Sequence, residues 1–595
     1  MKVRKNICKK VNWKLAVLLL LSLATMLYYG NQKEGYHVDE IYSYGLANSE
    51  YLPFMHFGEQ EYSVKDWMLE YGAGESLWML AGNLVKDFQI LKECGFQPKE
   101  SSIYQDYLIA QENSADTKTT SWVSGQAYMD YVAVSENNTF NYASVYYNQR
   151  GDVHPPLYYI LLHTICSVFP GTFSKWFGLA LNIAAMLLTL IFLYRMCRGY
   201  LGGETIALVV TGVYGLSAGF VSTALFLRMY ALLTFMTVVC CHIHLKIAEE
   251  QFVLKGGNRW KLVLAVLGGF LTHYYFVLYA FGIAVVSCIW MLARKKWKEM
   301  IGYILTLAGT AVLGLCIWPF ALKHVFRGYR GLESLNVVLN REFYFEKIQI
   351  MFEDAADWLL AGQGWVLILC FLALMLLFLW KKGRSLPLAK GALVVLPIVF
   401  YTVAVAQLAP FLTARYIMCT YPFWYLFIVG TAVLVLRQGW ERLKSPEEKP
   451  GKPEFGNQTG WKTVGMAAVG LLLFAVSCVF MRTPDHLRLG GQETVVIPEN
   501  TDCVYVLEDG DWNQSAIDST ILAQCRSVGV AYRSDTGRLA ESYEYQDGDY
   551  LMIAIQSEMD IDAVLLQMKS LFAVEDLVEV RREWGDTSVR VLLHR

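Results

Sequence analysis

Residues Pro156–Phe169, PLYYILLHTICSVF, decide how the chain threads a membrane. The run is apolar but falls short of the roughly 17–25 residues that a bilayer-spanning helix needs. About eleven longer apolar runs surround it: Trp13–Tyr29, Trp176–Tyr194, Thr205–Leu225, Met229–Leu245, Trp260–Tyr275, Phe276–Leu292, Ile301–Leu322, Gly364–Trp380, Ala389–Leu408, Tyr416–Leu436 and Val464–Met481. If Pro156–Phe169 also crossed, the basic clusters Arg195/Arg198, Arg294/Lys295/Lys296/Lys298, Lys381/Lys382/Arg384 and Arg437/Arg442/Lys444 would all face outward. That contradicts the bias of Lys and Arg toward cytoplasmic loops. If the run lies in the outer interface or re-enters, all four clusters fall inside, together with Lys2, Arg4, Lys5, Lys9, Lys10 and Lys14 at the start. One reassignment removes every conflict, so the run reads as an interfacial helix. Pro155–Pro156 suits its first turn, where missing N–H groups cost nothing.

The composition agrees. Of 595 residues, 55% are hydrophobic and only 17% charged, against about 25% charged in ordinary soluble domains. Lys plus Arg number 51 and Asp plus Glu 53, a near-balance that gives no sign of nucleic-acid binding. The expected fold is therefore an α-helical polytopic membrane protein with a small extracytoplasmic C-terminal α/β domain. Residues 1–29 form an uncleaved anchor with a cytoplasmic N-terminus. Residues 30–175 form a large extracytoplasmic loop with interfacial helices, 176–481 the transmembrane bundle, and 482–595 the soluble domain. Within the last, Cys503–Leu507 and Asp549–Ile555 read as strands, Ala563–Phe572 as a helix, and Leu577–Arg582 with Ser588–Leu593 as a hairpin.

The 13 cysteines form no CxxC motif, which leaves a zinc ribbon or thioredoxin-type site little support. Cys503 and Cys525 share the C-terminal segment and are positioned for a disulfide if it is extracytoplasmic. No Walker A sequence and no obvious internal repeat occur, which counts against an ATP-driven pump and an inverted-repeat transporter.

The chemistry gathers on the outer side. Asp39-Glu40 lies about ten residues past the first run. Such a pair serves as a general base and its tuner, because proximity raises one pKa; the alternative is two acids complementing a helix N-terminus. Gly151-Asp-Val-His-Pro-Pro-Leu-Tyr-Tyr places Asp152 and His154 at the start of the interfacial helix, where a helix N-terminus attracts phosphate; the alternative is a Pro-Pro turn with an incidental His. Arg228, in Phe226-Leu-Arg-Met-Tyr230, and Arg415, in Thr413-Ala-Arg-Tyr, sit at outer ends of spans. An Arg there either grips phosphate oxygens or snorkels to lipid headgroups. His273, in Thr272-His-Tyr-Tyr, suits a metal, a phosphate or a plain interfacial role. These seven residues are remote in sequence, yet the Lys/Arg bias puts them all on one side. Acids and cations together at a membrane surface fit transfer from a lipid-linked phosphate.

In this ordered set the chain resembles the GT-C membrane glycosyltransferases, in the branch of protein O-mannosyltransferases and bacterial lipid-A aminoarabinose transferases. The resemblance spans roughly residues 13–440 and rests on Asp39-Glu40, Asp152-x-His-Pro-Pro-Leu-Tyr-Tyr, Arg228-Met-Tyr230, Thr272-His-Tyr and Arg415-Tyr with Pro422 beyond. It implies a polyprenyl-phosphate sugar donor, an extracytoplasmic site in the cell membrane, and inversion at the anomeric carbon. It makes Asp39 the candidate base with Glu40 in support. Asp152, His154, Arg228, Tyr230, His273 and Arg415 become candidate substrate contacts, Arg228 and Arg415 on charge and side. The acceptor is a cell-envelope glycan, lipid or protein. The protein mannosyltransferases carry Gly-Lys where this chain has Tyr158-Tyr159, which counts against a protein acceptor. No required cofactor is expected; some relatives use a divalent metal, but no complete ligand set stands out. Glu59–Gln149, rich in Tyr and Trp, is expected to shape the acceptor site. The competing reading is a transporter or flippase of lipid-linked glycans, which would need polar residues at mid-span.

Overall fold

A computed structural model describes the chain apart from residues 1–11, 56–76, 107, 110–121, 202, 327–328, 340–343, 361, 381–387, 444–482, 488–496, 509–513, 545–548, 557–558, 573, 575–581, 585–586 and 594–595. Among the described residues, seven helices are long and apolar enough to cross a bilayer: Trp13–Gln32, Lys175–Tyr200, Tyr230–Glu249, Phe276–Ala293, Trp297–Ile317, Ala389–Leu408 and Ala414–Val433. Two bent pairs raise the number to as many as nine. The expected Thr205–Leu225 span is one of them: Glu204–Gly215 and Ala218–Leu225 meet at 57°. The break has a local cause, because the Ser217 side chain accepts from Phe220 N–H and starts a new helix. The other pair joins Phe345–Leu360 to Trp365–Leu376 at 97°, so the expected Gly364–Trp380 span is one limb of a bend. The expected Trp260–Tyr275 span appears as Gly256–Thr272, 17 residues and at the short end of the spanning range. Val464–Met481 and the linker Ser445–Thr459 lie outside the described residues.

The run that decides the threading forms the helix Leu157–Cys166. Its 10 residues reach about 15 Å at 1.5 Å per residue, half of a hydrocarbon core of about 30 Å. It cannot span. Its buried face, Tyr158, Tyr159, Leu162 and Cys166, packs on the helix Val38–Asn48. That second helix is started by a capping box: His37 Nδ1 accepts from Asp39 N–H at 3.1 Å, and the Glu40 carboxylate accepts from His37 N–H at 2.8 Å. It is also held by a close approach. A Cβ on Gly45 would sit 2.1 Å from the ring of Tyr131, so only glycine lets the helix Gln126–Val132 cross there.

The C-terminal residues form a six-stranded sheet of β1 (Trp122–Ser124), β2 (Thr501–Leu507), β3 (Ser527–Tyr532), β4 (Tyr550–Gln556), β5 (Arg582–Trp584) and β6 (Thr587–Leu593), in the order β1-β3-β2-β4-β6-β5. The centre, β3-β2-β4, is parallel and the edges are antiparallel. Both faces of this centre are covered, as a parallel sheet requires. Val504, Val506, Ile553 and Ile555 face a core with Val564 and Met568 of the helix Ile561–Leu571. The alternate residues Cys503, Tyr505, Met552 and Ala554 join the core that runs through Tyr128, Tyr131 and Ile41 into the bundle. The sheet is thus docked on the helical part by one face.

Its edge comes from elsewhere in the chain. β1 belongs to the segment between the first two long helices and pairs with β3, Val123 opposite Val528. Trp122 stacks on Tyr543 at 4.7 Å. Neither β1 nor β3 was expected from the sequence. Of the expected hairpin, Ser588–Leu593 falls within β6, Arg582 begins β5, and residues 577–581 lie outside the described residues. Arg526 ties the beginnings of the parallel strands, pairing with Asp502 and, at 2.8 Å, with Asp549. Cys503 and Cys525 are both buried and carry free thiols.

Gly45→Ala forces the two helices apart. It is expected to cost about 1–3 kcal/mol, the usual penalty for overpacking, and to lower the thermal midpoint in detergent. An unchanged midpoint would mean that Tyr131 swings away freely.

Candidate functional site

The site begins with the capping box. Glu40 is fully buried and accepts from Lys33 Nζ at 3.0 Å, His37 N–H at 2.8 Å and Leu227 N–H at 2.8 Å. It therefore clamps the start of its helix to the turn Phe226–Met229. Arg228, from that turn, donates back through Nη1 to Asp39 O at 2.9 Å and Ser43 Oγ at 3.4 Å. The two carboxylates expected to act as a pair point to different places. Asp39 lines a cavity of about 820 Å³, and Glu40 does not. Glu40 thus holds the helix that carries Asp39 in place and does not itself face the cavity.

Every other residue singled out in the sequence lines that same cavity: Asp39, Asp152, His154, Arg228, Tyr230, His273 and Arg415. Arg415 pairs directly with Asp39, and His37 Nδ1 lies 3.6 Å from the same carboxylate oxygen. Asp152, His154 and Arg228 form a relay. Arg228 can only donate, so at 3.4 Å its Nη2 requires His154 Nε2 to accept. His154 Nδ1 then carries the proton and donates to Asp152 Oδ2 at 2.8 Å. His273 is fixed in the opposite sense. Its Nδ1 accepts from Tyr275 N–H at 3.0 Å, which places the proton of a neutral ring on Nε2. That Nε2 is buried and has no partner among the described residues. A buried donor left unpaired costs about 1–3 kcal/mol, so it is suited to a ligand oxygen.

The electrostatics run against the expected raised carboxylate. Burial pushes Asp39 up, but the Arg228 and Arg415 guanidinium groups outweigh it and hold the acid well below the usual range. Asp152 is lowered in the same way, with burial opposed by His154 and Arg228. The neighbouring partner of Asp39 is a pair of guanidinium groups, not a second acid. Both carboxylates stay ionised through neutral pH. Their stabilising contribution exists above the unfolded-state value of about 3.9 and fades as pH falls through the lowered folded value.

The remaining wall is largely apolar, with Phe270, Leu278, Leu315, Val325, Leu335 and Phe411. It also contains groups that sequence reasoning passed over. Arg330 lines the cavity, lies 4.6 Å over the Phe411 ring and pairs with Glu333 at 3.0 Å. Its one sequence signal was a cation in the outer stretch after Leu322. His324 accepts from Tyr274 OH at 2.7 Å and donates to Arg150 O at 3.2 Å. Burial first, and Lys323 next, push it down to about 3, so it is neutral and structural. No described residue of Glu59–Gln149 lines the cavity. Its described part supports the helix Val38–Asn48 and lends a strand to the sheet, while residues 59–76, 107 and 110–121 of that stretch lie outside the described residues. Among the described residues, no group of three or more His, Cys, Asp and Glu is close enough to hold a metal ion.

Glu40→Gln removes the carboxylate from the buried Lys33 ammonium, and breaking a buried ion pair typically costs about 3–5 kcal/mol. Lys33→Met combined with Glu40→Leu is expected to recover most of that loss in thermal unfolding. It should still misplace the turn at Leu227 and impair any activity. Equal stability of single and double variants would contradict a buried ion pair.

No family model matches the chain, and no curated protein matches it. Among solved structures, the crystal structure of ArnT from Cupriavidus metallidurans in the apo state is similar, at 13% identity over 79% of this chain and 93% of that chain, with a TM-score of 0.43.

Proposed function

We propose that the chain is a membrane glycosyltransferase that moves a sugar from a polyprenyl-phosphate donor to an acceptor on the outer side of the cell membrane, with inversion. The observation that carries this reading is the convergence of Asp39, Asp152, His154, Arg228, Tyr230, His273 and Arg415 on one cavity whose other wall is apolar. A lipid-linked sugar phosphate has those two halves. The prenyl chain suits the apolar wall. The phosphate suits Arg228, Arg415 and the unpaired Nε2–H of His273. The Lys/Arg distribution in the loops supports a cytoplasmic N-terminus and an outward site.

The reaction follows from these placements. The bond between the anomeric carbon and the phosphate oxygen breaks, and the acceptor oxygen bonds to that carbon from the opposite face. The acceptor proton passes to Asp39, and the phosphate leaves with its charge against the cations. A carboxylate held by two guanidinium groups is a weak base. The incoming phosphate competes for Arg415, so donor binding itself frees Asp39 and raises its basicity. The cations supply the charge stabilisation that a metal would otherwise bring, and we expect turnover without one.

The test uses the full chain in nanodiscs with a panel of polyprenyl-phosphate sugars and a cell-envelope extract. Asp39→Asn should slow release of polyprenyl phosphate about 10²–10⁴-fold, the usual share of a general base, while donor affinity is retained or raised because Arg415 loses its competing carboxylate. Chelation with EDTA should leave the rate unchanged. The acid limb of donor binding should appear only below the ordinary carboxylate value of about 3.9. Movement of intact donor between leaflets with no released phosphate would instead favour a flippase.

A further inference from the structure

A second cavity of about 520 Å³ shares Arg415 with the first. It lies in the size range of ligand pockets, about 300–1,000 Å³. Among the described residues, Arg415 is the one that lines both. The second cavity is lined by His37, Thr413 and Arg415 on one side and by the segment Thr483–Leu487 on the other. That segment lies on the path from the bundle to the C-terminal sheet. It is fastened to the parts that position Asp39. Leu487 O accepts from Glu34 N–H at 3.0 Å, and His486 O accepts from Lys33 Nζ at 2.7 Å. Asp485 N–H donates to Ser222 Oγ at 2.9 Å, and the His486 ring stacks on Phe226 at 4.1 Å. The pocket is therefore built, and its character differs from the larger one: imidazole, carboxylate, hydroxyl and guanidinium groups stand beside only Ala414, Met418, Pro484 and Leu487. Two of its buried polar atoms, Thr413 Oγ1 and Arg415 Nε, have no partner among the described residues.

We propose that this second pocket receives the hydroxyl-bearing end of a glycan acceptor, so that the segment Thr483–Leu487 is part of the acceptor site. This rests on the glycosyl-transfer reading. An inverting displacement needs the nucleophile and the leaving group on opposite faces of the sugar carbon. Asp39 faces the larger chamber, and its partner Arg415 lines both, so the two chambers meet at this ion pair. The donor phosphate occupies the larger cavity. The acceptor hydroxyl arrives past His37, whose Nδ1 lies 3.6 Å from the Asp39 carboxylate. There it gives its proton to Asp39 as its oxygen bonds to the anomeric carbon and polyprenyl phosphate departs. Side chains that mix carboxylate, imidazole and hydroxyl groups match the alternating donors and acceptors of a sugar ring. They do not match a lipid tail.

The experiment places the photoreactive amino acid p-benzoylphenylalanine at Thr483 and, in a separate protein, at Phe411. Thr483 is exposed and Phe411 keeps an aromatic ring, so both full-length proteins should fold. Each is irradiated in the membranes of the cells that make it, purified and analysed by mass spectrometry. Position 483 should carry hexose- or hexosamine-containing adducts, and position 411 polyprenyl adducts. Polyprenyl at 411 with phospholipid, polyprenyl, peptide or no adduct at 483 overturns the acceptor assignment alone. Absence of polyprenyl at 411 removes the donor reading, and the acceptor assignment with it.

Discussion

The buried Lys33–Glu40 pair is the interaction on which the rest depends. Each side chain is sealed from solvent, which is affordable only because Glu40 also satisfies two backbone N–H groups and Lys33 a backbone carbonyl. Those extra bonds do the architectural work. One begins the helix that carries Asp39. One holds the turn that carries Arg228. One fastens the segment leading to the C-terminal sheet. Three parts of the chain separated by hundreds of residues meet at a single ion pair, and the polar side of the cavity is what they leave between them.

The sheet depends on the same assembly. Its inner face shares a core with the helices around Tyr131 and Ile41, and its edge strand is borrowed from the segment before the interfacial helix. A chain that lost the Val38–Asn48 helix would therefore lose the seat of the sheet as well. This couples the small domain to the site through packing.

Much of the site was legible because charge bias in the loops is a bilayer-scale signal. It put Asp39, Asp152, His154, Arg228, His273 and Arg415 on one side without any knowledge of packing, and they share a cavity. The bias cannot tell which way neighbours point. Asp39 and Glu40 are consecutive, but successive helical residues diverge by about 100°, so one faces the cavity and the other the interior. Arg330 was missed because a cation in a long outer stretch has no pattern around it. Three-residue β1 is too short for alternation, and β3 is a plain apolar run whose partner strands are remote. The bend at Ser217 was also invisible to a hydropathy window, since it turns on one hydroxyl capping a helix. That the helix Leu157–Cys166 does not span, by contrast, was readable from its length together with the Lys/Arg bias.

The central claim is that the polar wall of the larger cavity holds a lipid-linked phosphate. Its most direct test is a cryo-electron microscopy structure of the full chain in nanodiscs with polyprenyl phosphate bound. The account predicts the phosphate at about 3 Å from Arg228 and His273 Nε2, with Arg415 drawn away from Asp39 and the prenyl chain along Phe270 and Phe411. A phosphate bound elsewhere, with the Asp39–Arg415 pair intact and His273 still unpaired, would contradict it.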